Sequence, residues 1–100
     1  MAVKLLMTWD IVPGREQEYF EFVVRDLIPR MQKLGLQPND AWYTYYGDQP
    51  QIMSSWLANS LAKMEEVLDS DEWHDLVQEL LDYVEDFNYK IIEARTGFQL

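Results

Sequence analysis

Between Ala41 and Tyr46 the chain reads Ala-Trp-Tyr-Thr-Tyr-Tyr, a strand-forming run with large rings at four of its six positions. Successive side chains of a strand point to opposite faces, so Tyr43 and Tyr45 fall on one side and Trp42 and Tyr46 on the other. Rings on both sides call for cover on both sides. A chain of 100 residues can lay helices over one face of a small sheet but has little left for the other. The simplest remaining cover is a second copy of the same chain. The sequence thus speaks first about architecture, and it does not disclose a reaction.

Composition narrows the partners. With 48% hydrophobic and 14% aromatic residues the chain can bury a real core, and no Pro-, Gly- or Ser-rich linker divides it, so residues 1–100 are read as one domain. Eighteen acidic against 8 basic residues give a formal charge of -10, which repels phosphate backbones and anionic lipid surfaces. No nucleic-acid or membrane partner is therefore expected. The absence of cysteine removes disulfides, thiolate nucleophiles and sulfur ligands for zinc. The run from Met1 to Met7 is too short for a secretory or membrane-spanning segment, and a cytoplasmic location is the default expectation.

Val3, Leu5, Met7, Trp9 and Ile11 alternate with Lys4, Leu6, Thr8 and Asp10, which predicts a first strand with one face for helices. Pro13-Gly14 ends it. Phe20, Val23, Val24, Leu27, Met31 and Leu34 then recur at helical spacing up to Gly35, a suitable C-terminal cap, and Pro29 should bend or divide that helix. A loop from Gly35 to Asp40 leads to strand two, Ala41 to Tyr46. A turn at Gly47-Asp48-Gln49-Pro50 joins it to strand three, Gln51 to Ala58. Asn59 or Ser60 can cap a short helix carrying Leu61, Met64, Val67 and Leu68, and Asp69 with Glu72 has capping-box spacing for a longer one. Its predicted stripe is Trp73, Leu76, Val77, Leu80, Leu81, Val84, Phe87 and Ile91. Ala94 to Leu100, interrupted by Gly97, is read as strand four.

This order is the split βαβ arrangement, in which right-handed crossovers put strands one and three in the middle and strands two and four at the edges. The expected fold class is α+β: a ferredoxin-like βαββαβ domain with a four-stranded antiparallel sheet and helices on one face. Strand two, as bounded, is an edge with no lysine, proline or bulge to guard it. Burying a large ring contributes about 1.5–3 kcal/mol, so a few rings can offset the entropy of pairing two chains into a homodimer.

Strand one closing in Pro13-Gly14, the helix opening Arg15-Glu16-Gln17-Glu18-Tyr19-Phe20, the Trp56 strand and the joint Leu68-Asp69-Ser70-Asp71-Glu72-Trp73 resemble the dimeric α+β barrel superfamily, most of all its NIPSNAP-like and antibiotic biosynthesis monooxygenase-like domains. The resemblance spans nearly the whole chain. It implies that two sheets join into a barrel with helices outside, and that any site lies between a sheet and its own helices. It also implies what is missing. Haem-degrading members place an asparagine, a tryptophan and a histidine where this chain has Met7, Val67 and Val77, and many monooxygenase-like members carry histidines where it has Val67 and Glu72.

Candidate sites follow. His74, the single histidine, sits at the start of the long helix and is a weak candidate for a general base. Met7, Trp9, Tyr43, Tyr45, Trp56 and Trp73 are candidates for an apolar pocket between sheet and helices, holding a small hydrophobic or aromatic molecule, with cofactor-independent oxygenation of it as the further expectation. The competing expectation is a structural or interaction module in which those rings are plain core. Asp75, Glu79, Asp82 and Asp86 form one acidic ridge, which cannot wrap an ion. Ser54, Ser55 and Ser60 have no histidine near them in sequence, and no phosphate-binding glycine loop is present. No metal and no cofactor is expected.

Overall fold

The computed structural model describes residues 2–43 and 50–94. Four strands, β1 (Val3–Ile11), β2 (Gln37–Tyr43), β3 (Ile52–Ala58) and β4 (Val84–Glu93), form one antiparallel sheet in the order β2-β3-β1-β4. With the helices between them this is the ferredoxin-like fold, with β1 and β3 central as the crossover rule requires. The alternation of β1 is fully realised: Val3, Leu5, Met7, Trp9 and Ile11 are buried beneath the helices, and the residues between them are half-buried.

The first helical run is broken into three. Helix α1 (Glu16–Phe22) passes into a π-helical segment (Val23–Leu27), and α2 (Ile28–Lys33) follows with Pro29 in its first turn. Proline has no N–H to give to the preceding turn, and the wider π turn just before it accommodates that loss. The inserted residue also shifts the phase of the apolar stripe. Leu27 and Met31 face the core as expected, but upstream the inward residues are Tyr19 and Phe22, while Phe20 and Val24 are 51% and 69% exposed.

Strand β2 starts four residues before the expected Ala41 and takes in Pro38. Its pairing with β3 slips between Pro38 and Asp40, so Asn39 is an extra residue. The edge is thus guarded by a proline and a bulge, two devices that the shorter strand lacked. Tyr45 and Tyr46 lie outside the described residues, as does most of the expected turn. Trp42 and Tyr43 are both exposed at the edge.

Helix α3 (Leu61–Leu68) is capped by Ser60, whose Oγ accepts from the Lys63 N–H. Helix α4 (Asp71–Leu80) is capped by Ser70 instead of Asp69, which ends α3. Ser70 Oγ accepts from the Trp73 N–H at 3.2 Å and donates to the Val67 carbonyl at 2.6 Å, joining the two helices through one hydroxyl.

The largest correction concerns the end of α4. The helix stops at Leu80, and Val84, Phe87 and Ile91 belong to β4; the fourth strand is Val84–Glu93, with residues 95–100 outside those described. A bulge explains the misleading spacing. Between the pairs Thr8↔Asn88 and Asp10↔Glu85, Trp9 alone faces Asp86 and Phe87, and Asp86 has φ 55. That extra residue brings Val84 and Phe87 onto one face of a strand at a separation that imitates a helix. Asp82 and Asp86 therefore leave the acidic ridge, which reduces on α4 to Asp75 and Glu79.

Among the described residues, no helix lies over the other face of the sheet. Leu6, Met53 and Leu57 are half-buried there, and Trp42 and Ile92 are 49% and 38% exposed.

Candidate functional site

On the covered face the two sides of the core differ. Toward β4 the rings touch one another: Trp9 stacks on Phe87 with centroids 6.1 Å apart, Phe87 meets Tyr89 at 6.0 Å, and Trp73 meets Tyr89, itself half exposed, edge-on at 5.8 Å. Toward β2 they do not. A cavity of about 270 Å³ lies there, with Trp9, Ile52, Ser54 and Trp56 from the sheet as its floor. Tyr19 and the residues Val23, Leu27 and Ile28, in and beside the π segment, form its roof. Pro38 to Ala41 of the exposed edge strand form its mouth. Its size exceeds the roughly 150 Å³ known to admit benzene into an apolar protein cavity.

Two of the three places where one extra residue breaks a regular element line this cavity: the π segment and the Asn39 bulge. The third, at Asp86, lies opposite Trp9, which also forms part of the floor. Bulges and π turns re-aim side chains, and they concentrate around sites. The Asn39 side-chain amide donates to Ser55 Oγ at 3.1 Å and to the Asp40 carboxylate at 3.3 Å; Ser55 pairs with Leu6, so these bonds tie the bulge to the uncovered face of the sheet.

Beyond Asn39, Asp40 and Ser55, the polar groups of the lining fall into two sets. Trp9 Nε1 donates to Tyr19 Oη at 3.0 Å, and burial pushes the Tyr19 phenol up to about 12, with that hydrogen bond pulling the other way. Ser54 Oγ and Trp56 Nε1, by contrast, are closed off from solvent without any hydrogen-bond partner among the described residues. Leaving a buried donor unpaired costs about 1–3 kcal/mol.

Of the pocket candidates from the sequence, the structure brings Trp9 and Trp56 together here. Met7 and Trp73 are packed into the core away from the lining. Tyr43 is 44% exposed, and its hydroxyl accepts from Gln51 Nε2 at 3.0 Å; Tyr45 lies outside the described residues. Gln51 also receives the Ile11 N–H on its side-chain oxygen and gives its own N–H to Asp10, so Tyr43 belongs to a clasp at the end of the sheet. His74 is exposed on α4 and does not line the cavity. Sequence reasoning missed Tyr19, Ser54 and the π-segment residues. Pro29 in mid-helix was the available signal, since a helix that must yield there changes which side chains turn inward.

Elsewhere, Arg30 of α2 reaches Glu79 of α4 at 2.6 Å, and that hydrogen bond holds the Glu79 carboxyl below its usual range. Arg30, Lys33 and Lys63 share a cleft with Glu66, Glu72 and Asp75, so its charges are largely answered within it. Among the described residues, no cluster of three or more His, Asp or Glu is arranged to hold a metal ion, and no helix is long and apolar enough to cross a membrane.

The NIPSNAP family model matches residues 4–94. The chain belongs to the NIPSNAP family. Among solved structures, this NIPSNAP chain is similar to a NIPSNAP family protein from Agrobacterium tumefaciens. The two are 20% identical, the TM-score is 0.72, and the match covers 95% of this chain and 87% of that one. An ethyl tert-butyl ether D (EthD) family protein from Bacillus halodurans is 16% identical with a TM-score of 0.74, over 95% and 100% of the two chains. A protein from Bacteroides fragilis described as dimeric, of unknown function and with a ferredoxin-like fold, is 12% identical with a TM-score of 0.61, over 93% and 96%. No curated protein matches the chain. At these identities the likeness establishes the fold, and function rests on the site itself.

Proposed function

We propose that this NIPSNAP chain is a small-molecule-binding domain, holding a hydrophobic or aromatic molecule between the β2–β3 side of the sheet and the π segment above it. The observation that carries this reading is the cavity of about 270 Å³, walled by Trp9, Trp56, Leu27 and Ile28, while on the opposite side of the same core the rings are in contact. A well-formed apolar pocket with a few convergent polar groups is the usual form of a ligand site. The geometry favours binding over proton abstraction: burial keeps Tyr19 protonated, and His74 lies elsewhere.

The domain works as a homodimer in this reading, with the apolar open face as the interface and two sheets forming the barrel. Support comes from Leu6, Met53, Leu57, Trp42 and Ile92 on that face and from the similar Bacteroides fragilis protein described as dimeric. Native mass spectrometry of freshly purified protein, with a panel of small aromatic compounds, tests both parts. Two subunits carrying up to two bound molecules are expected. A monomer argues against the interface, and a dimer that takes up nothing argues against the ligand site.

A further inference from the structure

Two buried donors on residues that line the cavity have no partner among the described residues, and a third has a proton to spare. The indole N–H of Trp56 can only donate, and it has no partner among the described residues; the residue is 4% exposed. Ser54 Oγ is equally unpartnered, and Ser54 stands two residues away on the same strand, so both side chains belong to the same face. Tyr19 Oη accepts the Trp9 N–H, which leaves its own proton for another partner, and its high pKa keeps that proton in place at neutral pH. The charges are as informative. Among the described residues no lysine or arginine lines the cavity, and the single charged one is Asp40 at the mouth, in a chain of formal charge -10. A carboxylate or phosphate brought into this space would lose its water with no cation to replace it.

We propose that the cavity selects neutral apolar molecules bearing one hydrogen-bond acceptor, such as a ketone, ester or ether oxygen, which takes the protons of Trp56 Nε1 and Ser54 Oγ. This rests on the reading of the cavity as a ligand site and adds the chemical class. Tyr19 stands as the third donor for an acceptor with a second lone pair to offer. The rest of the molecule packs against Leu27, Ile28 and the face of Trp9.

The test compares three probes of closely similar size: acetophenone, ethylbenzene, which lacks the oxygen, and benzoate, which is charged. Affinities are measured by titration while the four indole N–H signals are followed by nitrogen–proton NMR. Acetophenone is expected to bind about tenfold more tightly than ethylbenzene, the worth of one buried hydrogen bond, and benzoate more weakly than either. The Trp56 indole signal should shift on adding acetophenone while that of Trp73 does not. In Ser54→Ala and Trp56→Phe the preference for the ketone over the hydrocarbon should fall toward unity. Equal binding of acetophenone and ethylbenzene, or tighter binding of benzoate, overturns the selectivity and leaves the ligand site standing. If none of the three binds, the site and the selectivity fall together. The NMR arm uses the unmodified protein, so a poorly folding variant does not spare the proposal.

Discussion

The two sides of the covered sheet face are built from the same kinds of residue and come out differently. Next to β4, Trp9, Phe87, Tyr89 and Trp73 touch in a continuous chain of rings. Next to β2, Trp56 and Ser54 face a cavity with their polar atoms unanswered. An aromatic stripe thus closes ring on ring on one side and lines a cavity on the other. Backbone irregularity decides which. The Asp86 bulge sets Phe87 against Trp9, whereas the π segment and the Asn39 bulge hold the roof and the mouth on the other side.

The contrast breaks if the two sides respond alike to mutation. Trp73→Ala should produce the largest effect, a loss of about 3–5 kcal/mol in urea unfolding at fixed protein concentration, because a filled core cannot collapse around the gap. Tyr19→Phe lies at the boundary. It leaves the Trp9 indole N–H without its acceptor and should cost about 1–3 kcal/mol at pH 7. Its pH dependence carries a sign: the folded-state pKa is raised from 10.0 to about 12, so the fold favours the neutral phenol. That stability is complete below pH 10 and is lost as the pH rises through 12. The advantage of the unmodified protein over Tyr19→Phe should therefore shrink by about 2 kcal/mol across that window, as read by parallel melts. Ser54→Ala, on the cavity side, removes a hydroxyl that bonds to nothing, so stability should stay within about 0.5 kcal/mol or rise slightly. Smallest of all is His74→Ala on the exposed face of α4, which should alter neither melting nor ligand uptake.

Much of the fold is legible in the sequence, and the misreadings have a common cause. The alternation of β1, the strand order and the Ser60 cap follow from period, crossover handedness and side-chain chemistry. Strand two, the phase of the first helix and the length of the last one were misjudged, and in each case a single inserted residue intervenes: Asn39, the extra residue of the π turn, and Asp86. Period-based reading assumes an unbroken register, so one added residue exchanges faces. Of the site, Trp9 and Trp56 were legible as large rings on adjacent strands. Tyr19 was not, because the π turn shifts the phase that turns it inward; Leu27 lies on the expected helical stripe and Ser54 shares a strand face with Trp56, but nothing in the sequence marks an open space beside them.

Pressurising crystals of the protein with xenon tests the central claim most directly, since this gas enters apolar cavities and avoids filled cores. Xenon density is expected among Trp9, Leu27 and Trp56, and none among Trp9, Phe87 and Tyr89. Side chains closed over the first of these places, with no xenon there, would contradict it.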